Sequence, residues 1–136
     1  MTKAGLLTVT VAASLLVGCS RDDLRELAKD TEAAVKHAGA ALDELAGQAE
    51  GPLREAASRA LDAAQETRQA SEEFRKNPTT ETRQALRRAK QRLDDVSREL
   101  EGLLDHAPEG VQSALGHALD SLTELRRRIQ RELDSS

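Results

Sequence analysis

The chain has 136 residues, 38% hydrophobic and 32% charged, with 20 Lys and Arg against 24 Asp and Glu for a formal net charge of −4. With no Trp, no Tyr and a single Phe, it lacks stacking platforms for bases or sugars, and its acidic balance argues against nucleic acid as the main partner. One cysteine excludes a disulfide framework within the chain, and the length suits one domain with a modest core.

In chain order, the first feature is an uncharged run from Ala4 to Ser20, preceded by Lys3 and followed at once by Arg21-Asp22-Asp23. The stretch Ala4 to Val17 is apolar or small apart from Thr8, Thr10 and Ser14. As a helix it would rise only about 21 Å, short of the roughly 30 Å of bilayer hydrocarbon, so it reads as the apolar core of a secretory signal and not as a permanent span.

The run closes on Leu16-Val17-Gly18-Cys19. These four residues resemble the lipobox of bacterial lipoproteins. The resemblance implies that residues 1–18 are a cleaved signal peptide, that a diacylglycerol is attached to the Cys19 thiol, and that Cys19 becomes the first mature residue, with a further acyl chain such as palmitate on its amino group in many bacteria. The alternatives are an ordinary signal peptide with an incidental cysteine and a weak N-terminal helix. A lone exported thiol has no intramolecular partner, which argues against the first, and the sharp compositional break argues against the second. In the Gram-negative sorting pattern of such lipoproteins, aspartate after the cysteine retains the protein at the inner membrane. Ser20 stands there instead, which favours the outer membrane, facing the periplasm.

From Arg21 onward the chain is dominated by Ala, Leu, Glu, Arg, Gln and Lys and shows no period-2 alternation, so residues 21–136 read as an all-α domain. Pro52, Pro78 and Pro108 punctuate it, each suited to the first position of a helix. Four helices are predicted over 21–49, 52–76, 78–105 and 108–134, with Ser20 and Asp23 at capping-box spacing, Gly47 and Gly51 around the first joint, and Asn77 as the cap before Pro78.

Apolar stripes at spacings of three and four run through Leu24, Leu27, Thr31, Ala34, Ala38, Ala41 (with Leu42) and Leu45; through Thr82, Leu86, Ala89, Leu93, Val96, Leu100 and Leu103; and through Val111, Leu115, Ala118, Leu122, Leu125 and Ile129. The second segment offers Leu53, Ala57, Ala60, Ala64, Thr67, Ser71 and Phe74, mostly small, and is expected to be the least well anchored. Acid-first pairs at i, i+4, namely Glu32–Lys36, Glu50–Arg54, Glu55–Arg59, Glu72–Lys76, Asp94–Arg98 and Glu124–Arg128, are expected on the solvated faces. Similar lengths and short joints predict an antiparallel up-down four-helix bundle; the alternative is two long coiled-coil-like hairpins that dimerise or stack on a partner.

No motif for chemistry emerges. His37, His106 and His117 are never four residues apart, no Glu precedes a His at the spacing of bundle di-iron sites, and there is no Cys-x-x-Cys-His, nucleophile elbow or glycine-rich phosphate loop. No catalytic residue, metal site, cofactor or small-molecule substrate is therefore predicted. Two basic groups stand out, Arg126-Arg127-Arg128 with Arg131, and Arg83, Arg87, Arg88, Lys90 and Arg92. Helix-end and surface roles account for both, with anionic headgroups, lipopolysaccharide or an acidic partner as the functional reading. The Leu133-Asp134-Ser135-Ser136 ending lacks the terminal lysine that joins the short murein lipoprotein to peptidoglycan, so that role is not carried over.

The expected function is that of a non-enzymatic, lipid-anchored envelope protein, binding or spacing through contact with another envelope protein or its own copy. A lipid-binding or lipid-shuttling bundle that opens its Leu stripes is the alternative, and a surface stress or exclusion factor is a further one.

Overall fold

A computed structural model of the chain describes residues 25–26 and 28–135; the cap at Ser20 and Asp23, the stripe positions Leu24 and Leu27, and the Cys19 segment lie outside them. Four helices and no strand occur among the described residues: α1 (28–48), α2 (Pro52–Lys76), α3 (Thr80–Leu104) and α4 (Glu109–Asp134). At 1.5 Å per residue each of the last three is about 38 Å long. They run up and down as an antiparallel four-helix bundle: α2 packs on α3, α3 on α4, and α4 returns to α1. The return to α1 closes the ring, so the molecule is a bundle and not a pair of open hairpins.

Each joint shows why its helix begins where it does. Gly51 precedes α2 with φ of 62°, a left-handed conformation that side chains with a Cβ rarely adopt, and Pro52 enters the first turn, where no N–H is needed. At the third joint the His106 and Ala107 N–H groups donate to the Leu103 and Leu104 carbonyls at 3.2 Å each, ending α3 in a tightened turn. Pro108 then acts as the cap of α4, its carbonyl accepting from the Val111 and Gln112 N–H groups at 2.9 and 3.1 Å.

The second joint departs from expectation. Asn77 does not cap α3; it closes α2, its N–H donating to the Glu73 carbonyl at 2.9 Å, and α3 begins at Thr80 with Thr79 as cap. The Thr82 N–H donates to Thr79 Oγ1 at 3.1 Å while the Thr79 N–H donates to Thr82 Oγ1 at 2.9 Å. This reciprocal box satisfies two otherwise orphaned donors, whereas an Asn77 cap offers a side-chain acceptor for one. The proline beside Asn77 also holds it out of helical geometry.

The core is a column of fully buried aliphatics, Leu42 and Leu45 from α1, Leu86, Leu93 and Leu100 from α3, and Leu115, Leu122, Leu125 and Ile129 from α4. Against it α2 presents Ala56, Ala57, Ala60, Ala63 and Ala64. The expectation that α2 is the least anchored helix is corrected: it buries nine residues, and α3 buries five. Alanine carries little area of its own but lets the helix backbone approach its neighbours, so that nearly every inward position is sealed from water. On α3 the stripe drifts by one position, leaving Val96 half-buried and burying Ser97 at 1% exposure.

The Ser97 hydroxyl is the buried side-chain polar atom that finds no hydrogen-bond partner among the described residues. A buried polar group without a partner costs about 1–3 kcal/mol. Ser97→Ala removes that penalty and favours the helix, so it is expected to stabilise the bundle by about 1 kcal/mol, read as a higher urea midpoint at unchanged slope; a lower midpoint contradicts this assignment.

Candidate functional site

The described residues hold one buried ionic cluster, and it is built from three helices. Near the end of α4, Glu132 continues the stripe Leu125–Ile129 by three residues and so turns inward, with a side chain only 1% exposed. Its Oε1 accepts from Arg75 Nη1 at 3.0 Å and its Oε2 from Thr31 Oγ1 at 2.9 Å. Ser71 Oγ lies 2.8 and 2.7 Å from the two oxygens and accepts in turn from Arg75 Nη1 at 2.6 Å. Ser71 is one helical turn before Arg75 on α2, and Thr31 stands in the first turns of α1. Both carboxylate oxygens and both hydroxyls therefore have partners, the condition under which a buried charge is tolerated.

A second clasp closes the same end. The Arg83 guanidinium at the start of α3 lies 5.7 Å from the centroid of the buried Phe74 ring on α2, and its Nη1 donates to the Leu133 carbonyl in the last turn of α4 at 3.3 Å. The two clasps together tie all four helices at the end where α1 begins.

The charges on the outer faces pair mainly between helices. Of the acid-first pairs expected along single helices, Glu124–Arg128 is formed at 2.9 Å. Arg128 also reaches Asp30 on α1 at 3.0 Å, and Asp94 takes Lys90 at 3.3 Å and Arg126 of α4 at 2.6 Å in place of Arg98. Arg59 pairs with Glu99 and Arg92 with Glu66, both from α2 to α3, and Arg68 with Glu32 at 3.7 Å and Glu72 at 3.3 Å. Long arginine side chains span these grooves because the alanine-rich contacts bring the helices close. Such exposed pairs contribute about 0–1 kcal/mol each.

Chemistry at these sites is limited by access. The Glu132 carboxylate is enclosed and saturated. His37, His106 and His117 are exposed, and no three His, Cys, Asp or Glu side chains among the described residues converge as metal ligands. A groove of about 460 Å³ between α3 and α4 is lined by Arg83, Arg87, Lys90, Gln130 and Asp134. At the opposite end of the bundle an apolar recess of about 300 Å³ lies between Leu53, Leu103, Ala107 and Val111, with His106 at its rim. No helix among the described residues is long and apolar enough to cross a membrane. Cys19, the one site residue predicted from sequence, lies outside the described residues. No known protein family, curated protein or solved structure matches the chain.

The Glu132 cluster was not predicted, although its signal is present. Thr31 and Ser71 sit at stripe positions, and the interval from Ile129 to Glu132 keeps the α4 period. Arg75→Met strands the carboxylate and is expected to cost about 3 kcal/mol, at the low end for a buried pair because Arg75 retains 19% of its exposure. Arg75→Met with Glu132→Leu is expected to recover most of that loss, because the pair is then replaced by apolar volume. Losses that simply add across the urea double-mutant cycle contradict the coupling.

Proposed function

We propose that the chain is a lipid-anchored protein of the cell envelope whose helical bundle acts as a non-catalytic binding or spacing module, directed to the periplasmic face of the outer membrane. The observation that carries this reading is Leu16-Val17-Gly18-Cys19 at the end of an uncharged run, with Cys19 the only cysteine in the chain. Acylation puts that thiol to use and supplies the membrane attachment. Two or three chains on one cysteine anchor firmly, where a single chain holds only marginally.

The arrangement of the bundle supports the same reading. Its faces carry charges and its aliphatic stripes are closed against each other, so attachment to a bilayer is assigned to the residues ahead of α1. The six residues from Cys19 to Arg25 span at most about 22 Å when extended, which keeps the clasped end of the bundle near the membrane and points the apolar recess away from it. The partner is another envelope protein or a second copy of the chain.

Cys19→Ala tests this directly. In the source bacterium the variant is expected to accumulate as a longer, unprocessed precursor, while the parent chain appears in the membrane fraction as the shorter acylated form. Equal processing and equal membrane partition of the two proteins contradict the proposal.

A further inference from the structure

The charges are sorted along the bundle axis. Dividing each helix at its midpoint, the half containing the start of α1 (25–26, 28–38, 64–91 and 122–135) carries fourteen Lys and Arg against ten Asp and Glu, a net of +4. The other half (39–63 and 92–121) carries four against twelve, a net of −8. A chain that is acidic overall thus presents a positive end, and it is the end to which residues 1–24 are joined.

The positive charge there is also available. Arg87 and Arg88 on α3 and Arg127 and Arg131 on α4 are exposed and form no ion pair among the described residues. In the acidic half three of the four, Arg59, Arg92 and Arg98, are paired, and the exposed Arg54 stands among twelve acids. Counted from the nearer helix end, the four arginines lie within about 12 Å of the clasped end. Arg87 and Lys90 line the α3–α4 groove beside Arg127 and Arg131, whereas Arg88 lines the α2–α3 groove with Glu66, Glu72, Glu73 and Asp95.

We propose that this α3–α4 corner is a docking surface for the headgroups of anionic phospholipids, able to engage them without the tether. The proposal rests on the lipid-anchored reading for its setting. Each basic residue near an anionic surface contributes about 1 kcal/mol, within a Debye length of about 8–10 Å. The acidic half begins about 19 Å up the axis, roughly two Debye lengths away, so its charge opposes docking little and is itself repelled. The two effects together hold the bundle upright on the membrane, with its acidic end and apolar recess facing outward.

The test uses the chain starting at Ser20, which keeps every contact described for the bundle because all of them lie within residues 25–135. It is mixed with vesicles of phosphatidylcholine alone, or of phosphatidylcholine with phosphatidylglycerol, and binding is read by co-sedimentation. Binding is expected to the anionic vesicles only, to weaken with salt, and to fall about fivefold for each of Arg87, Arg127 and Arg131 replaced by Gln, the equivalent of ~1 kcal/mol apiece. Replacement by Lys is expected to preserve it, and circular dichroism checks that each variant keeps its helices. Binding to neutral vesicles as strong as to anionic ones, indifference to the Gln substitutions, saturation of the groove by inorganic phosphate without vesicles, or a salt-sensitive self-association in place of vesicle binding would each overturn the proposal. Because this chain lacks Cys19, the outcome is separate from the anchor: vesicle binding that fails while native Cys19 is acylated removes the docking surface and leaves the tether standing.

Discussion

The buried carboxylate of Glu132 constrains the bundle more than any other group. Leucine and alanine columns tolerate a helix sliding by a turn, because one aliphatic contact is replaced by another of similar energy. A charge sealed from water does not tolerate it. Unless α1, α2 and α4 bring Thr31, Ser71 and Arg75 to one point, Glu132 is left with a desolvation penalty of several kcal/mol. For a domain whose total stability is of the order of 5–15 kcal/mol, that penalty is decisive. The cluster thus selects the closed, up-down arrangement among the packings that the apolar stripes alone permit.

The rest of the structure is consistent with that constraint. Close alanine contacts place α2 within reach of its neighbours, and the same closeness lets Arg59, Arg68 and Arg92 bridge to other helices. The Phe74–Arg83–Leu133 clasp repeats the logic of the Glu132 cluster with a cation over a ring and a donor to a terminal carbonyl. Both lie at the end where α1 begins, so this end is held by buried directional interactions and the opposite end by two short loops, apolar packing and the exposed Arg59–Glu99 pair.

How much of this was legible in the sequence depends on the kind of signal. The helices, the joint at Pro52 and the aliphatic stripe of α4 follow from periodicity and proline position, and the structure has them where they were expected. The start of α3 was misplaced because Asn77-Pro78 and Thr79-Thr80-Glu81-Thr82 both carry capping signals, and only the reciprocal bonding of Thr79 with Thr82 decides between them. The anchoring of α2 was underestimated because alanine was weighed by its own area and not by the approach it permits. Glu132 was missed because a charge in a last helical turn reads as solvated until the partners brought by two other helices are known. Ion pairing along single helices was expected for the same reason: sequence distance is visible, and distance across a groove is not.

Function rests on a different part of the chain from the fold. The bundle explains how an acidic, alanine-rich sequence makes a body with a positive end and a negative end; in the proposed function the lipobox-like residues would hold such a body at a membrane. The most direct measurement of the central claim is the intact mass of the polypeptide purified from the envelope, with fragmentation of its N-terminal peptide. Lipid anchoring predicts a chain beginning at Cys19 and carrying thioether-linked diacylglycerol. A chain beginning at Met1 with an unmodified thiol would contradict it.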